Sequence, residues 1–380
     1  MADFAPQSLP HWRRAVLKVG SSLLADAGGG LTDCHAAGLA RFIGASRAQG
    51  REVVLVSSGA VAAGRGRIAA GGDGIVLKQA LAALGQAALM GFWQQLSEVP
   101  VAQVLLSHDD LRNRRRYLNA REALQELLRL GALPVVNEND TVAVDELKLG
   151  DNDNLAAAVA SLVDADLLLV ATDIGGLYSG HPQRDPDARP IARVEVVTPA
   201  LLQAASGGAG ALGTGGMRTK LEAAAKAASA GIATALFCGR DDGVLAALGD
   251  GVLHGTLIDA RGNRLRARKQ WLRHAPASGV VQVDAGAASA LLRGASLLPG
   301  GVGGVQGDFR RGDLIEIRDA QDLLLARGLA QYNAAESTRI AGRHSRDIES
   351  ILGYRYDEAM VHRDDLVLLA GTEQARETAA

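Results

Sequence analysis

Residues 13–22 read RRAVLKVGSS, and residues 52–59 read EVVLVSSG. Each is a short run rich in valine and leucine that ends at small or hydroxyl residues, which is typical of a buried parallel strand followed by a tight turn. Similar runs occupy residues 101–106, 132–136, 166–170 and 234–237. Helical patterns lie between the runs, at about residues 33–49, 78–98, 116–130, 153–163 and 218–230. This alternation predicts an α/β fold with a mostly parallel sheet sandwiched by helices.

The pattern changes after residue 260. Residues 261–274 carry six basic residues and no acidic one, and from about residue 278 short apolar runs alternate with glycine turns. The length of 380 residues suits two domains. We therefore expect an α/β domain over residues 1–260, a basic linker over 261–277, a small β-rich barrel domain over 278–368 and a tail over 369–380.

Composition excludes several classes of protein. The chain has 40 basic and 42 acidic residues, so no global basic field favours nucleic acid or an anionic membrane. Two cysteines are too few for a disulfide framework and have no metal-ligand spacing. The first residues lack the apolar core of a signal peptide, and no run of about 18 apolar residues occurs. We expect a cytoplasmic protein that does not span a membrane.

Two segments point to phosphate. In parallel α/β sheets, ligands bind beyond the carboxyl ends of the strands. Lys18, Gly20 and Ser21 stand at such an end and place an ammonium beside backbone N–H groups, although a Gly-Ser turn alone is usually only a turn. Residues 213–220, GTGGMRTK, lead directly into a helix, where glycines, the helix dipole and Lys220 predict a second anion site.

Two polar clusters lie between these segments in the chain. Residues 137–140, NEND, follow a strand, and residues 150–154, GDNDN, open a helix. Such clusters are costly to bury without partners. They would suit an amino-acid ligand, with carboxylates meeting its ammonium and amides its carboxylate; a metal site is the alternative, although no histidine joins them. With the phosphate-directed segments, they predict phosphoryl transfer from a nucleotide to a small amino-acid-like acceptor.

Further motifs complete a family pattern. They are LKVGSS, VSSGAVAAGR, NENDTVAVDELKLGDNDN, ATDIGGLY and GTGGMRTK, followed later in the chain by ASLLPGGV, RRGDLIEIRD, AGRHS, ILGY and VHRDD. Over about residues 13–368 the chain resembles the glutamate 5-kinases, members of the amino-acid kinase superfamily with a C-terminal PUA domain. Ser21 departs from the pattern, where the family more often has threonine, but it keeps the hydroxyl.

The resemblance implies roles for individual residues. Lys18, Lys220 and Asp153 would be catalytic, with Asp153 orienting the two lysines rather than acting as a base. L-Glutamate would be held by Ser58, Asp140 and Asn152. ATP would be bound by Lys18, Gly20, Ser21, Thr172, Asp173, Thr214, Gly215, Gly216, Met217, Arg218, Thr219 and Lys220. Mg²⁺ would be held mainly by the nucleotide, and no protein residue is assigned as a metal ligand.

The resemblance also implies the activity and its setting. The enzyme would use ATP to phosphorylate the side-chain carboxylate of L-glutamate, giving L-glutamyl 5-phosphate in the first step of proline biosynthesis. A carboxylate with a reference pKa of about 4.3 is already ionised at pH 7, so no general base is needed. L-Proline would inhibit by feedback, the protein would form homo-oligomers, with tetramers favoured, and a glutamyl phosphate reductase is a candidate partner.

Two alternatives stay open from the sequence. Another kinase of the superfamily, acting on acetylglutamate, aspartate, carbamate or UMP, is disfavoured by the NEND and GDNDN pair and by the C-terminal domain. RNA binding through the PUA domain is the other. Residues 278–360 contain nine arginines, no lysine and eleven acidic residues, whereas affinity for the RNA backbone wants a basic excess. RNA is therefore the less favoured partner.

Overall fold

A computed structural model describes residues 4–26, 30–68, 72, 74–142, 151–180, 182, 185, 187–205, 216–262, 272 and 276–369, apart from the side chains of Arg114 and Asp151. The chain divides into two compact units, Met1–Asn263 and Arg264–Ala380. Most of the expected basic linker and nearly all of the expected tail lie outside the described residues.

The first unit is built on a mostly parallel sheet. Its strands are β2 (Arg14–Val19), β3 (Glu52–Ser57), β4 (Val101–Leu106), β5 (Leu133–Glu138), β6 (Leu167–Thr172), β7 (Arg193–Val194), β8 (Ala233–Cys238) and β10 (Gly255–Ile258), in the order β4-β5-β3-β2-β6-β8-β10-β7. Every neighbouring pair is parallel except β8 and β10. Two short strands, β1 (Gln7–Ser8) and β9 (Val252–Leu253), pair separately.

Helices cover both faces of this sheet. They are α1 (Ala36–Ala48), α2 (Ala60–Arg65), α3 (Ile75–Leu96), α4 (His108–Arg112), α5 (Arg114–Arg129), α6 (Asp151–Leu162), α7 (Pro199–Ala204), α8 (Gly216–Ser229) and α9 (Asp242–Gly249). Alternate strand residues face opposite sides: Leu17 packs in one core with residues of α1, α3 and α9, and Val16 in the other with residues of α5, α6 and α8. The predicted α/β sandwich is confirmed.

Helices α2 and α3 approach unusually closely because glycines line their contact. A Cβ atom added to Gly85 would lie 1.9 Å from the carbonyl oxygen of Ala60, and one on Gly64 would lie 2.0 Å from that of Leu81. Within the described parts of the chain, α3 is the one helix long and apolar enough to cross a membrane. That test alone is weak evidence, since a buried core helix passes it too, and here Leu89 and Trp93 of α3 lie in the core.

The second unit is small and β-rich, as the sequence predicts. Strands β11 (Gly279–Val283), β12 (Val302–Gly307), β13 (Leu314–Arg318), β14 (Leu324–Leu329) and β15 (Leu366–Leu368) form a mixed sheet in the order β12-β11-β13-β14-β15. Only β11 and β13 pair in parallel within it. Its core includes Phe309 and Tyr332, and the helices α10 (Ala285–Leu292), α11 (Ala334–Ile340) and α12 (Ile348–Leu352) accompany the sheet.

Candidate active site

The carboxyl ends of the central strands bring several of the predicted site residues together. β2 lies between β3 and β6, with Val19 in register with Ser57 and with Ala171. The chain leaves all three strands at the same edge of the sheet, and the backbone N–H of Ser58 donates to the carbonyl of Val19 at 3.0 Å. The apolar residues of these strands end at this edge, and polar residues follow them. The polar side chains therefore lie together at the same edge of the sheet.

A buried carboxylate joins the two lysines that the sequence singles out. Lys18 Nζ lies 2.7 Å from Asp153 Oδ1, and Lys220 Nζ lies 3.6 Å from Asp153 Oδ2. The side chain of Asp153 is only 1% exposed. Thr219 Oγ1 also donates to Asp153 Oδ2, at 2.8 Å. Three segments that are distant in the chain, at the end of β2 and the starts of α6 and α8, thus converge on one carboxylate.

The electrostatics of this cluster follow from its burial. Burial lowers the pKa of Lys18, and the neighbouring Lys220 lowers it further, while Asp153 opposes both effects. For Asp153 burial alone would raise the pKa, but the attraction of Lys18 and Lys220 and the hydrogen bonds from Lys18 and Thr219 hold it below its usual value. Asp153 is therefore ionised at neutral pH, so the cluster carries one negative charge between two ammonium groups.

A glycine, which has no side chain, lies beside each of the two ammonium groups. A Cβ atom on Gly20 would lie 3.4 Å from Lys18 Nζ, and one on Gly216 would lie 3.4 Å from Lys220 Nζ. Lys220 Nζ also donates to the carbonyl of Gly216 at 3.1 Å. The exposed Ser21 begins a 3-10 turn after Gly20. These glycines allow an anionic ligand to reach the lysines and the backbone around them.

Other residues of the GTGGMRTK motif are placed differently. Met217 is buried in the core, and Arg218 Nε donates to Glu222 Oε1 at 2.7 Å on the surface of α8. The Met217 side chain is thus engaged in the core, which leaves its backbone for any contact with a nucleotide, whereas the Arg218 side chain stays half-exposed. Thr214 and Gly215 lie outside the described residues.

Thr172 and Asp173 form the turn that follows β6. The Thr172 hydroxyl donates to the carbonyl of Ile174 and accepts from its backbone N–H, which closes the turn. Asp173 is exposed at this edge. Phe4 supports the same loop, although no sequence pattern indicates this: its ring lies against the backbone of Gly175 and Gly176, where added Cβ atoms would come within 2.9 Å of it.

Two of the predicted acceptor residues, Ser58 and Asn152, lie beside the lysine cluster, since Asn152 adjoins Asp153. Asn152 Nδ2 donates to Ser58 Oγ at 2.8 Å and to Asn137 Oδ1 at 3.1 Å. Asp140 is half-buried, and this burial raises its pKa. Residues 143–150 between the two polar clusters lie outside the described residues. The structure thus joins the start of α6 to the end of β3 through side chains that an amino acid could contact.

The site contains no preformed metal cluster within the residues that the structure describes. No group of three or more His, Cys, Asp or Glu side chains lies close enough there to hold an ion. The buried carboxylate nearest the phosphate-directed glycines, Asp153, is already paired with two lysines. The arrangement provides positive charge for phosphate and polar side chains beside it, as a phosphotransferase requires.

Comparison with known proteins identifies the family. Residues 13–238 match the amino acid kinase family, and residues 279–352 match the PUA domain. A glutamate 5-kinase from Xanthomonas euvesicatoria is 64% identical over 362 residues, covering 93% of this chain and 100% of the relative. One from Xylella fastidiosa is 60% identical over 375 residues, covering 96% of this chain and 98% of the relative.

A solved UMP kinase from Bacillus anthracis also aligns, with a TM-score of 0.46 and 16% identity over 66% of this chain and 97% of that chain. This likeness is too low to say anything about activity. Identity of 60% or more over nearly the whole length of curated relatives is decisive. The chain belongs to the glutamate 5-kinases, the amino acid kinases that carry a PUA domain.

Proposed function

We infer that this protein uses ATP to phosphorylate the side-chain carboxylate of L-glutamate, giving L-glutamyl 5-phosphate in the first step of proline biosynthesis. The observation that carries this inference is the contact of Lys18 and Lys220 with one buried carboxylate, Asp153. The adjacent residue, Asn152, contacts Ser58 of the proposed acceptor site. Two consecutive residues of α6 therefore link the phosphate side of the site to the amino-acid side.

The reaction needs alignment and charge neutralisation rather than proton transfer. An oxygen of the ionised glutamate side chain attacks the γ-phosphorus of Mg·ATP, the bond from that phosphorus to the β,γ-bridging oxygen breaks, and ADP leaves. Lys18 and Lys220 would stabilise the negative charge on the transferring phosphoryl group. Asp153 would hold both ammonium groups in place and offset their mutual repulsion, acting as neither nucleophile nor base.

We assign the ligand contacts as the family pattern implies. Ser58, Asp140 and Asn152 would hold glutamate, with the half-buried Asp140 carboxylate facing the substrate ammonium. ATP would be held by Lys18, Gly20, Ser21, Thr172, Asp173 and residues 214–220, with the buried Met217 contributing through its backbone. The nucleotide would bring Mg²⁺ with it, since its phosphates supply the oxygen ligands that this ion prefers.

Regulation and assembly are further parts of the proposal. L-Proline, which presents an amino-acid ammonium and carboxylate as glutamate does, would compete at or near Ser58 and Asn152.

Homo-oligomers, with tetramers favoured, are supported by apolar side chains on α3 that are strongly exposed in the single chain: Val76 is 78% exposed and Ile75 is 55% exposed. A cytoplasmic location and a reductase that consumes the acyl phosphate fit the same pathway, and RNA remains the less favoured partner.

We propose the domain bounds 1–260 for catalysis, 261–277 for the linker, 278–368 for the PUA domain and 369–380 for the tail. Support comes from the family matches at residues 13–238 and 279–352, which fall inside the two domains.

The activity is tested by trapping the acyl phosphate. Purified protein is incubated with Mg·ATP and hydroxylamine, and hydroxamate is scored with L-glutamate, L-aspartate or N-acetylglutamate, each with and without L-proline. Hydroxamate from L-glutamate alone, reduced by proline, is the expected result. Hydroxamate from another acceptor but not from glutamate would reassign the substrate, and persistence of the glutamate signal at high proline would refute the proposed regulation.

A further inference from the structure

A chain of side-chain amides runs from helix α3 to the proposed acceptor site. Asn137 Nδ2 donates to Gln86 Oε1 at 3.0 Å, and Asn152 Nδ2 donates to Asn137 Oδ1 at 3.1 Å. Gln86 is 8% exposed and Asn137 is 3% exposed. Because these amides are buried, water cannot readily replace a hydrogen bond that they lose, and the loss costs free energy. The orientation of each amide is therefore important.

One backbone group shows which way each of these amides points. The oxygen and the NH₂ group of a side-chain amide can exchange places unless a neighbouring group can only donate, or only accept, a hydrogen bond. The backbone N–H of Glu138 can only donate, and it donates to Asn137 Oδ1 at 2.9 Å. The oxygen of Asn137 must therefore face Glu138 and Asn152, its NH₂ group must face Gln86, and Gln86 must present its oxygen to Asn137.

The same logic sets the chemistry that a ligand meets. Both bonds of the Asn152 NH₂ group are given to protein oxygens, Asn137 Oδ1 and Ser58 Oγ. Asn152 Oδ1 is buried and accepts no bond from any residue that the structure describes. Ser58 Oγ accepts the bond from Asn152, which leaves its own hydrogen available. The site thus offers an acceptor at Asn152 and a donor at Ser58. The Asn152 amide would therefore meet the ammonium of an α-amino acid and not, as we expect from the sequence, its carboxylate, which Ser58 would meet.

We propose that Gln86 is a positioning residue for the acceptor site. Its Oε1 atom holds the amide of Asn137, which in turn holds Asn152 with its oxygen toward the substrate ammonium. Gln86 would therefore determine how strongly the site prefers an amino acid over a dicarboxylate that lacks the amino group. This inference rests on the proposed function, because the ligand whose ammonium Asn152 accepts is the glutamate of that reaction.

The test compares variants of similar size in the full-length enzyme. Gln86→Met removes the acceptor oxygen, and Gln86→Glu keeps one. Gln95→Met is the matched control, since Gln95 is an exposed residue of the same helix. For each variant, kcat, the KM values for L-glutamate and ATP, and the inhibition constant of glutarate, which is glutamate without its amino group, are measured. Thermal unfolding confirms folding, and Gln86→Leu replaces Gln86→Met if the latter does not fold.

The expected result is selective. In Gln86→Met the KM for L-glutamate rises about tenfold, the ratio that one hydrogen bond of ordinary net strength gives. The KM for ATP and the inhibition constant of glutarate stay near the wild-type values, so the preference for the amino acid falls by the same factor. Gln86→Glu lies closer to wild type than Gln86→Met, and Gln95→Met matches wild type.

Two results would overturn the inference. If Gln86→Met leaves the KM for L-glutamate unchanged, the amide chain does not position Asn152. If it weakens glutamate, glutarate and ATP alike, Gln86 is only a packing residue. Failure of the proposed function looks different, because the wild-type enzyme itself would then give no hydroxamate from L-glutamate.

Discussion

Replacing Asp153 by asparagine removes the charge that holds the two lysines. The change is nearly isosteric, and the asparagine oxygen can still accept the bond that Thr219 Oγ1 donates at 2.8 Å. The two ammonium groups lose their shared counter-charge and face each other in a buried site. The variant therefore isolates the electrostatic role of Asp153 from its shape.

The distances give the scale of the effect. At an effective dielectric constant of about 20, two unit charges attract by about 6 kcal/mol at the 2.7 Å of the Lys18 contact and about 5 kcal/mol at the 3.6 Å of the Lys220 contact. Desolvation of three buried charges offsets much of this. Removing one partner of a buried pair costs about 3–5 kcal/mol in other proteins, and we expect a loss of that order in the free energy of unfolding.

Kinetics and unfolding together form the assay. We expect Asp153→Asn to lower kcat by about 100-fold or more, the usual cost of disturbing a preorganised charge. The KM for ATP should not rise, because removing the Asp153 charge leaves the site no more negative than before, although Lys18 loses the partner that opposes the lowering of its pKa. ATP should also raise the melting temperature more in the variant than in wild type, since its phosphates restore the missing negative charge.

The matched control is Asp164→Asn, which removes the charge facing Arg121 at 2.9 Å. Asp164 precedes β6, at the opposite edge of the sheet, and its φ of 55° is one that asparagine adopts as readily as aspartate. This variant should keep wild-type kcat. A wild-type kcat in Asp153→Asn, or a raised KM for ATP with kcat intact, would refute the role given to Asp153.

Three further predictions follow from particular contacts. Burial raises the pKa of Asp140, so this carboxylate is protonated at a higher pH than an ordinary one as the pH is lowered, and the KM for L-glutamate should start to rise at that higher pH. Asp140→Asn should have a high KM that lacks this pH dependence; an unchanged pH profile in the variant would contradict the prediction. Phe4→Ala should raise the KM for ATP about fivefold, or about 1 kcal/mol, and leave that for glutamate unchanged, since Phe4 packs on the loop after Thr172; equal shifts in both would contradict this. Gly85→Ala should destabilise the fold by about 1–3 kcal/mol or more in chemical unfolding, whereas Gly91→Ala in the same helix, where nothing lies within 4 Å, should stabilise it by up to about 1 kcal/mol; two equal effects would show that close packing of α2 on α3 is unimportant.

The long elements of the fold could be predicted from the sequence because each has a strong local pattern. The strands are continuous apolar runs since both faces of the sheet are covered, and the predicted run at 15–19 lies inside β2 (Arg14–Val19). Short elements could not be found in this way. Helix α4 spans five residues and depends on Ser107 and Asp110 as a capping box, and β7 has two residues whose pairing with β10 no local pattern specifies.

The residues of the site likewise fall into those that the sequence predicts and those that it does not. Lys18, Asp153 and Lys220 each lie in a motif at a strand end or helix start, so the sequence points to all three. Gln86 and Phe4 do not, because they act through tertiary contacts. Gln86 is separated from Asn137 by 51 positions and sits in an ordinary apolar helix pattern. Only folding places its amide in line with the acceptor residues.

The most direct test of the central claim is the effect of Lys18→Ala and Lys220→Ala on kcat and on the KM for L-glutamate. Two lysines that stabilise charge on the transferring phosphoryl group act in the transition state, so kcat should fall far more than the KM for glutamate rises. Each variant should still bind L-glutamate with near wild-type affinity. If either substitution raises the KM for glutamate and leaves kcat intact, that lysine binds the substrate and does not stabilise the transition state.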